Sequence, residues 1–169
     1  MIIEPEMLYA RWKGQDALAV GSEVFGLVPI GERPGWAAGI LRAIAHEVPE
    51  CSTLVGVVLA VAEQPNRWAE GHRAFSMVRR EVLRLDEEGN RSGWTEALVA
   101  RAHLLAVAEL VAKVAYNSTD PSDPFDDDSG HWLSVCLRGF VEQVHDPLVE
   151  AKAWRAFVSS ANRTAAMTV

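Results

Sequence analysis

Asp126, Asp127 and Asp128, followed by Gly130-His131-Trp132, close the most acidic stretch of the chain, residues 117–129 (NSTDPSDPFDDDS), which holds five aspartates. Clustered carboxylates attract hard cations, because several oxygen ligands must converge on one ion. The spacing does not complete a calcium loop: counted from Asp126, the fifth position is Gly130 and the twelfth is Leu137, where a bidentate Glu is required. Two readings stay open. In one, the stretch is a solvated loop whose last Asp, or Ser129, caps the helix that follows. In the other, a helical enzyme or small-ligand binder holds a cation or cationic ligand through Asp126, Asp128 and His131, in a pocket beside Trp132.

Acids and imidazoles elsewhere do not assemble into chemistry. Glu142-x-x-His145 is one half of the carboxylate-histidine pattern of di-metal bundles, and its nearest counterpart, Asp128-x-x-His131, falls on the same predicted helix. Fourteen residues at a helical rise separate His131 from His145 by about 21 Å, too far to share an ion. His145-Asp146-Pro147 reads instead as one helix ending and the next beginning. His103 and His72 fall on apolar stripes and read as core residues. Phosphate loops, dinucleotide-binding turns, nucleophile elbows and zinc helices are absent from the sequence. Cys51 and Cys136 lie far apart in apolar surroundings and read as reduced core thiols. No catalytic residue, cofactor or metal is therefore assigned.

Charge supplies the other candidate. Arg73, Arg80 and Arg84 align within about 40° on a helix predicted over 66–86. In a chain of net charge −7 this makes one basic ridge beside one acidic loop. Ridge and loop could meet within the molecule or across a homodimer, or each could meet an oppositely charged partner. The plain alternative is a solvated face, with Arg84 partly neutralised by Glu81, Glu87 and Glu88. The expected function is non-catalytic protein binding or regulation, compatible with an adaptor- or immunity-type role. Its candidate binding residues are Arg73, Arg80, Arg84, Asp126, Asp127, Asp128, His131 and Trp132. A pI near 5.2 disfavours nucleic acid and anionic membrane surfaces as partners. The longest uncharged apolar runs, 54–62 and 104–108, fall well short of the roughly 20 residues a membrane span needs. The opening MIIEPE has no leader pattern, so a cytoplasmic location is expected.

Helices must position these residues. With 49% hydrophobic and 23% charged residues over 169 positions, the composition fits one globular domain over 1–169. Apolar periodicity and breakers predict helices over 36–47, 50–64, 66–86, 95–116, 128–145 and 147–162. The run LVGVVLAVA in the second could also serve a buried strand, and EEGN is the predicted stop of the third. The fold expected is all-α, a bundle of five to six helices around a buried central helix at 95–116, with the first 34 residues uncertain. Within those, 17–20 and 23–30 read as two short strands around Gly21-Ser22 or, preferably, 16–27 reads as one Gly-interrupted helix. Gly35, Gly39 and Ala43 form a smooth strip assigned to the core or to a dimer seam. Trp36, Trp68, Trp94 and Trp132 lie near predicted helix starts and Trp154 within the last helix, where a large aromatic packs on a neighbour.

Overall fold

The computed structural model describes residues 5–64, 68–118 and 127–166; among them lie eight α-helices and no strand. They are α1 (Pro5–Lys13), α2 (Ala17–Leu27), α3 (Arg33–Ile44), α4 (Ser52–Glu63), α5 (Trp68–Ser92), α6 (Glu96–Asn117), α7 (Ser129–Val144) and α8 (Pro147–Ala166). Helix punctuation follows the sequence at most joints. Pro34 opens α3 in its first turn, Pro49 starts the 3-10 turn ahead of α4, and Pro147 is the first residue of α8. The Thr95 hydroxyl caps α6 by accepting a hydrogen bond from the Leu98 N–H at 3.2 Å.

The count of five to six helices is corrected to eight, because the first 34 residues supply α1 and α2. The helical alternative for 16–27 holds, as α2. Helix α1 escapes a periodicity reading because, among its described side chains, Leu8 and Trp12, one turn apart, are the two that are buried. The expected stop at EEGN is also corrected, since α5 continues to Ser92. Gly89 does not end it; a Cβ there would lie 2.3 Å from the Trp94 ring, so this glycine admits the indole. The turn falls at Gly93, with φ +89°.

The core has two centres. Helix α6 packs against α3, α4, α5 and α7 and fully buries Leu104, Leu105, Val107, Ala108 and Val111. Trp12, Trp36, Trp154 and Phe157 gather from α1, α3 and α8 as the second, with ring centroids 5.1 Å apart for Trp12 and Trp154 and 5.8 Å for Trp36 and Phe157. Both buried indoles satisfy their N–H, Trp36 on the Phe157 carbonyl at 2.7 Å and Trp12 on the Ser134 carbonyl at 3.2 Å. Trp36 thus fills the role expected of a first-turn aromatic, whereas Trp132 and Trp94 are about half exposed.

Helices α2 and α7 cross closely, Gly21 facing Ser134 and His131, and Gly130 facing Phe25. The Gly35–Gly39 strip, in contrast, is not core: a Cβ at either position meets nothing within 4 Å. The two glycines floor an open hollow of about 530 Å³ between α3, the end of α4 and α8.

Candidate functional site

The described end of the acidic stretch is bound up with the fold. Asp127 accepts hydrogen bonds from the Ser129 N–H at 3.0 Å, from the Ser129 hydroxyl, and from Asn117 Nδ2 at 2.9 Å. The start of α7 is thereby held by Asp127, one residue earlier than the caps expected, and joined to the last residue of α6. Asp128 pairs with Lys113 at 3.1 Å and accepts from the Trp132 indole at 3.2 Å. The Lys113 ammonium holds its carboxyl below the usual carboxylate range. His131 is half-buried, its backbone against Gly21. Asp126 lies outside the described residues, as do Asp120 and Asp123. Among the described residues no three His, Cys, Asp or Glu side chains converge as a metal site requires.

The arginine ridge stands on the outer face of α5. Arg73 and Arg80 are exposed and have no ion-pair partner among the described residues, while Arg84 is clasped by Glu81 at 2.6 Å and Glu88 at 2.9 Å. Because α5 runs to Ser92, Arg91 also comes into register, seven residues beyond Arg84 on the same stripe. The neighbouring Arg79 is spent on Glu109 of α6, at 3.2 Å. Ridge and acidic segment do not meet among the described residues. Arg73 instead stands beside Met77 on the rim of a groove of about 270 Å³ between α4 and α5, lined by Val57, Ala60, Val61, Glu70 and Ala74. Helix α4 carries no charge from Ser52 to Ala62, yet it covers only Val55, Val58 and Ala62 fully. Val57 and Val61 stay half-buried, Gly56 and Ala60 exposed, so an apolar helix face reaches solvent beside Arg73. Met77 and Leu83 add exposed apolar surface on α5, at 38% and 50% exposure.

A further concavity, which sequence reasoning missed, lies between α1 and α8. It measures about 590 Å³ and is lined by Glu6, Tyr9, Pro147, Glu150, Ala151, Trp154 and Arg155. The Tyr9 hydroxyl donates to one oxygen of Glu150, and Lys13 meets the other at 2.8 Å. Burial, and next the Glu150 hydrogen bond, push the Tyr9 phenol up to about 12. Glu150 is itself held below the usual carboxylate range: burial opposes its ionisation, and the Lys13 and Tyr9 hydrogen bonds outweigh that. Tyr9 and Glu150 are 141 residues apart, so no local spacing could have signalled the pairing.

The histidines divide. His72, expected in the core, is exposed and meets the Tyr116 ring edge-on at 5.6 Å. His103 is half-buried between α6 and α7; a Cβ on Gly139 would come within 3.2 Å of its Nδ1. Burial pulls its pKa below the ordinary 6.5, against the opposing pull of Glu142. A group neutral when folded and readier to bind a proton when unfolded contributes stability above its unfolded pKa and loses it as pH falls toward the folded one. The urea midpoint is therefore expected to drop between pH 7 and about 5, and a His103→Leu variant is expected to lack that component of the slope. Equal slopes in the two proteins would contradict it.

No protein-family model, curated protein or solved structure matches this chain.

Proposed function

We propose that the chain is a non-catalytic protein-binding domain whose recognition surface is the exposed α4–α5 face, centred on Arg73, Met77 and Arg80. The observation that carries this reading is two arginines without ion-pair partners among the described residues, of which Arg73 stands at the rim of a largely apolar groove. Solvent-facing arginines paired along their own helix, as Arg84 is, contribute little to stability and suit a surface with no partner. Arg73, beside half-covered Val57 and Val61, suits an interface, where Arg is enriched over Lys and sits beside apolar anchors. The partner carries an acidic surface and is another protein or a second copy of this chain. Asp127 and Asp128 then serve to seat α7, and recognition falls to the ridge.

Double reversal, Arg73→Glu with Arg80→Glu, tests the reading. Like charges brought together at an interface cost on the order of several kcal/mol. The partner captured by the native chain is therefore expected to be lost, with the urea midpoint unchanged because neither side chain is part of the core. Sedimentation of the purified chain separates self-association from a foreign partner. Capture that is indifferent to the reversal would overturn the assignment of this face.

A further inference from the structure

The α1–α8 cleft offers a different chemistry from the arginine ridge and owes nothing to it. We infer that this cleft binds an organic ammonium ion, with the apolar body against Tyr9, Pro147 and Trp154 and the charge shared by Glu6 and Glu150.

Size is suitable, since about 590 Å³ lies within the range of roughly 300–1,000 Å³ typical of small-molecule sites. The walls are preorganised. Tyr9 and Trp154 meet edge to face at 5.2 Å, and Trp154 rests on the buried Trp12 and Phe157 at 5.1 and 5.7 Å. A ligand therefore finds the two rings already fixed from behind.

The polar groups on offer are chiefly acceptors. Tyr9 has committed its proton to Glu150, which leaves its oxygen presenting lone pairs. Glu150 takes one donor on each oxygen, from Tyr9 and Lys13, and an ionised carboxylate has about four acceptor sites, so capacity remains. Glu6 is exposed and has no ion-pair partner among the described residues. Lys13 is occupied by Glu150, which leaves Arg155 as the lining's cation without an ion-pair partner among the described residues. With Lys13 counted against Glu150 and Arg155 against Glu6 the formal charges balance, so the acceptor lone pairs of Tyr9 and Glu150 and the Tyr9 and Trp154 rings are what favour a cation over an anion, a cation over a ring face being attracted by the ring quadrupole.

The full chain, labelled with nitrogen-15, is titrated with choline, with its uncharged carbon isostere 3,3-dimethylbutan-1-ol, and with the anion 3,3-dimethylbutanoate. The Trp154 indole resonance, assigned by its loss in Trp154→Phe, reports occupancy. Choline is expected to move it and to bind about ten-fold more tightly than the isostere, as cation–π attraction in a partly desolvated site implies. Glu6→Gln should weaken choline binding about three-fold, and Arg155→Gln should tighten it by a similar factor by removing a like charge. Both residues are exposed, so neither change threatens folding. The inference is overturned if the resonance does not respond to choline, if alcohol and choline bind alike, if the carboxylate binds best, or if Arg155→Gln leaves choline affinity unchanged.

Discussion

Replacing Trp12 by alanine is expected to remove about 3–5 kcal/mol of unfolding free energy, the usual cost of truncating a fully buried aromatic. Against a total of about 5–15 kcal/mol for a domain, this is the loss of about a fifth or more. Trp12 is completely covered, with Tyr9, Trp154 and Phe157 rings around it at 6.1, 5.1 and 6.4 Å. Its neighbours cannot easily close over the void. Phe157 is backed by Trp36, whose indole N–H is anchored on the Phe157 carbonyl, and a cavity that cannot collapse lies at the costly end of the range. Loss of the indole donor to the Ser134 carbonyl adds about 0.5–1.5 kcal/mol. Trp12→Phe should recover most of the ring packing and forgo only the hydrogen bond. Urea unfolding measures both, and a Trp12→Ala midpoint close to the native one would contradict the placement of the ring. The damage should also be local: with Trp12 gone, Leu8 is the buried side chain left on α1 among those described. Amides of α1 should then exchange with solvent ahead of those of α6. Because Tyr9 rides on α1, the α1–α8 cleft should lose its wall in the same variant.

How much of this was legible in the sequence depends on how far apart the partners lie. Thr95 before α6, Pro34 in α3 and Asp146-Pro147 before α8 act within one turn, and each marks a helix start where it was read. The ridge was legible for the same reason, since Arg73, Arg80 and Arg84 share a helix and their alignment follows from 100° per residue. Arg91 was missed because Gly89 reads as a stop until Trp94 is seen resting on it. The fates of Asp127 and Asp128 turned on Asn117 and Lys113, ten and fifteen residues upstream, across a stretch of sequence with no periodicity to read. The cleft was out of reach: Tyr9 and Lys13 meet Glu150 across 141 and 137 residues, through a packing of α1 on α8 that a nine-residue helix does not advertise. Local chemistry could be read from the chain, while contacts made by chain ends brought together could not.

Alanine at Gly21 or at Gly130 is expected to destabilise the fold, although alanine is the better helix former by about 0.8–1.0 kcal/mol. Two opposed effects act at each position, and distance decides between them. A Cβ on Gly21 would stand 2.6 Å from the Ser134 Cβ and 2.9 Å from the His131 Cα and carbonyl oxygen. Two of those three atoms are backbone, so no rotamer change relieves them, and α2 must move away from α7. That movement would stretch the bond from the Ser134 hydroxyl to the Ala17 carbonyl, now 2.7 Å. At Gly130 the obstacle is the Phe25 ring, 2.1 Å from the added atom. The ring has little room to retreat, with the Arg33 guanidinium 4.0 Å from its centroid on one side and Trp36 packed at 5.7 Å. Overpacking of this kind costs about 1–3 kcal/mol and at times more, which exceeds the propensity gain. Gly39 and Gly56 sit inside α3 and α4, where an added Cβ meets nothing within 4 Å. There the propensity term acts alone, and alanine should raise stability by up to about 1 kcal/mol. Urea midpoints should therefore fall for Gly21→Ala and Gly130→Ala and rise for Gly39→Ala and Gly56→Ala. Should all four move in the same direction, α2 and α7 are not in the close contact that places His131 and Ser134 against Gly21.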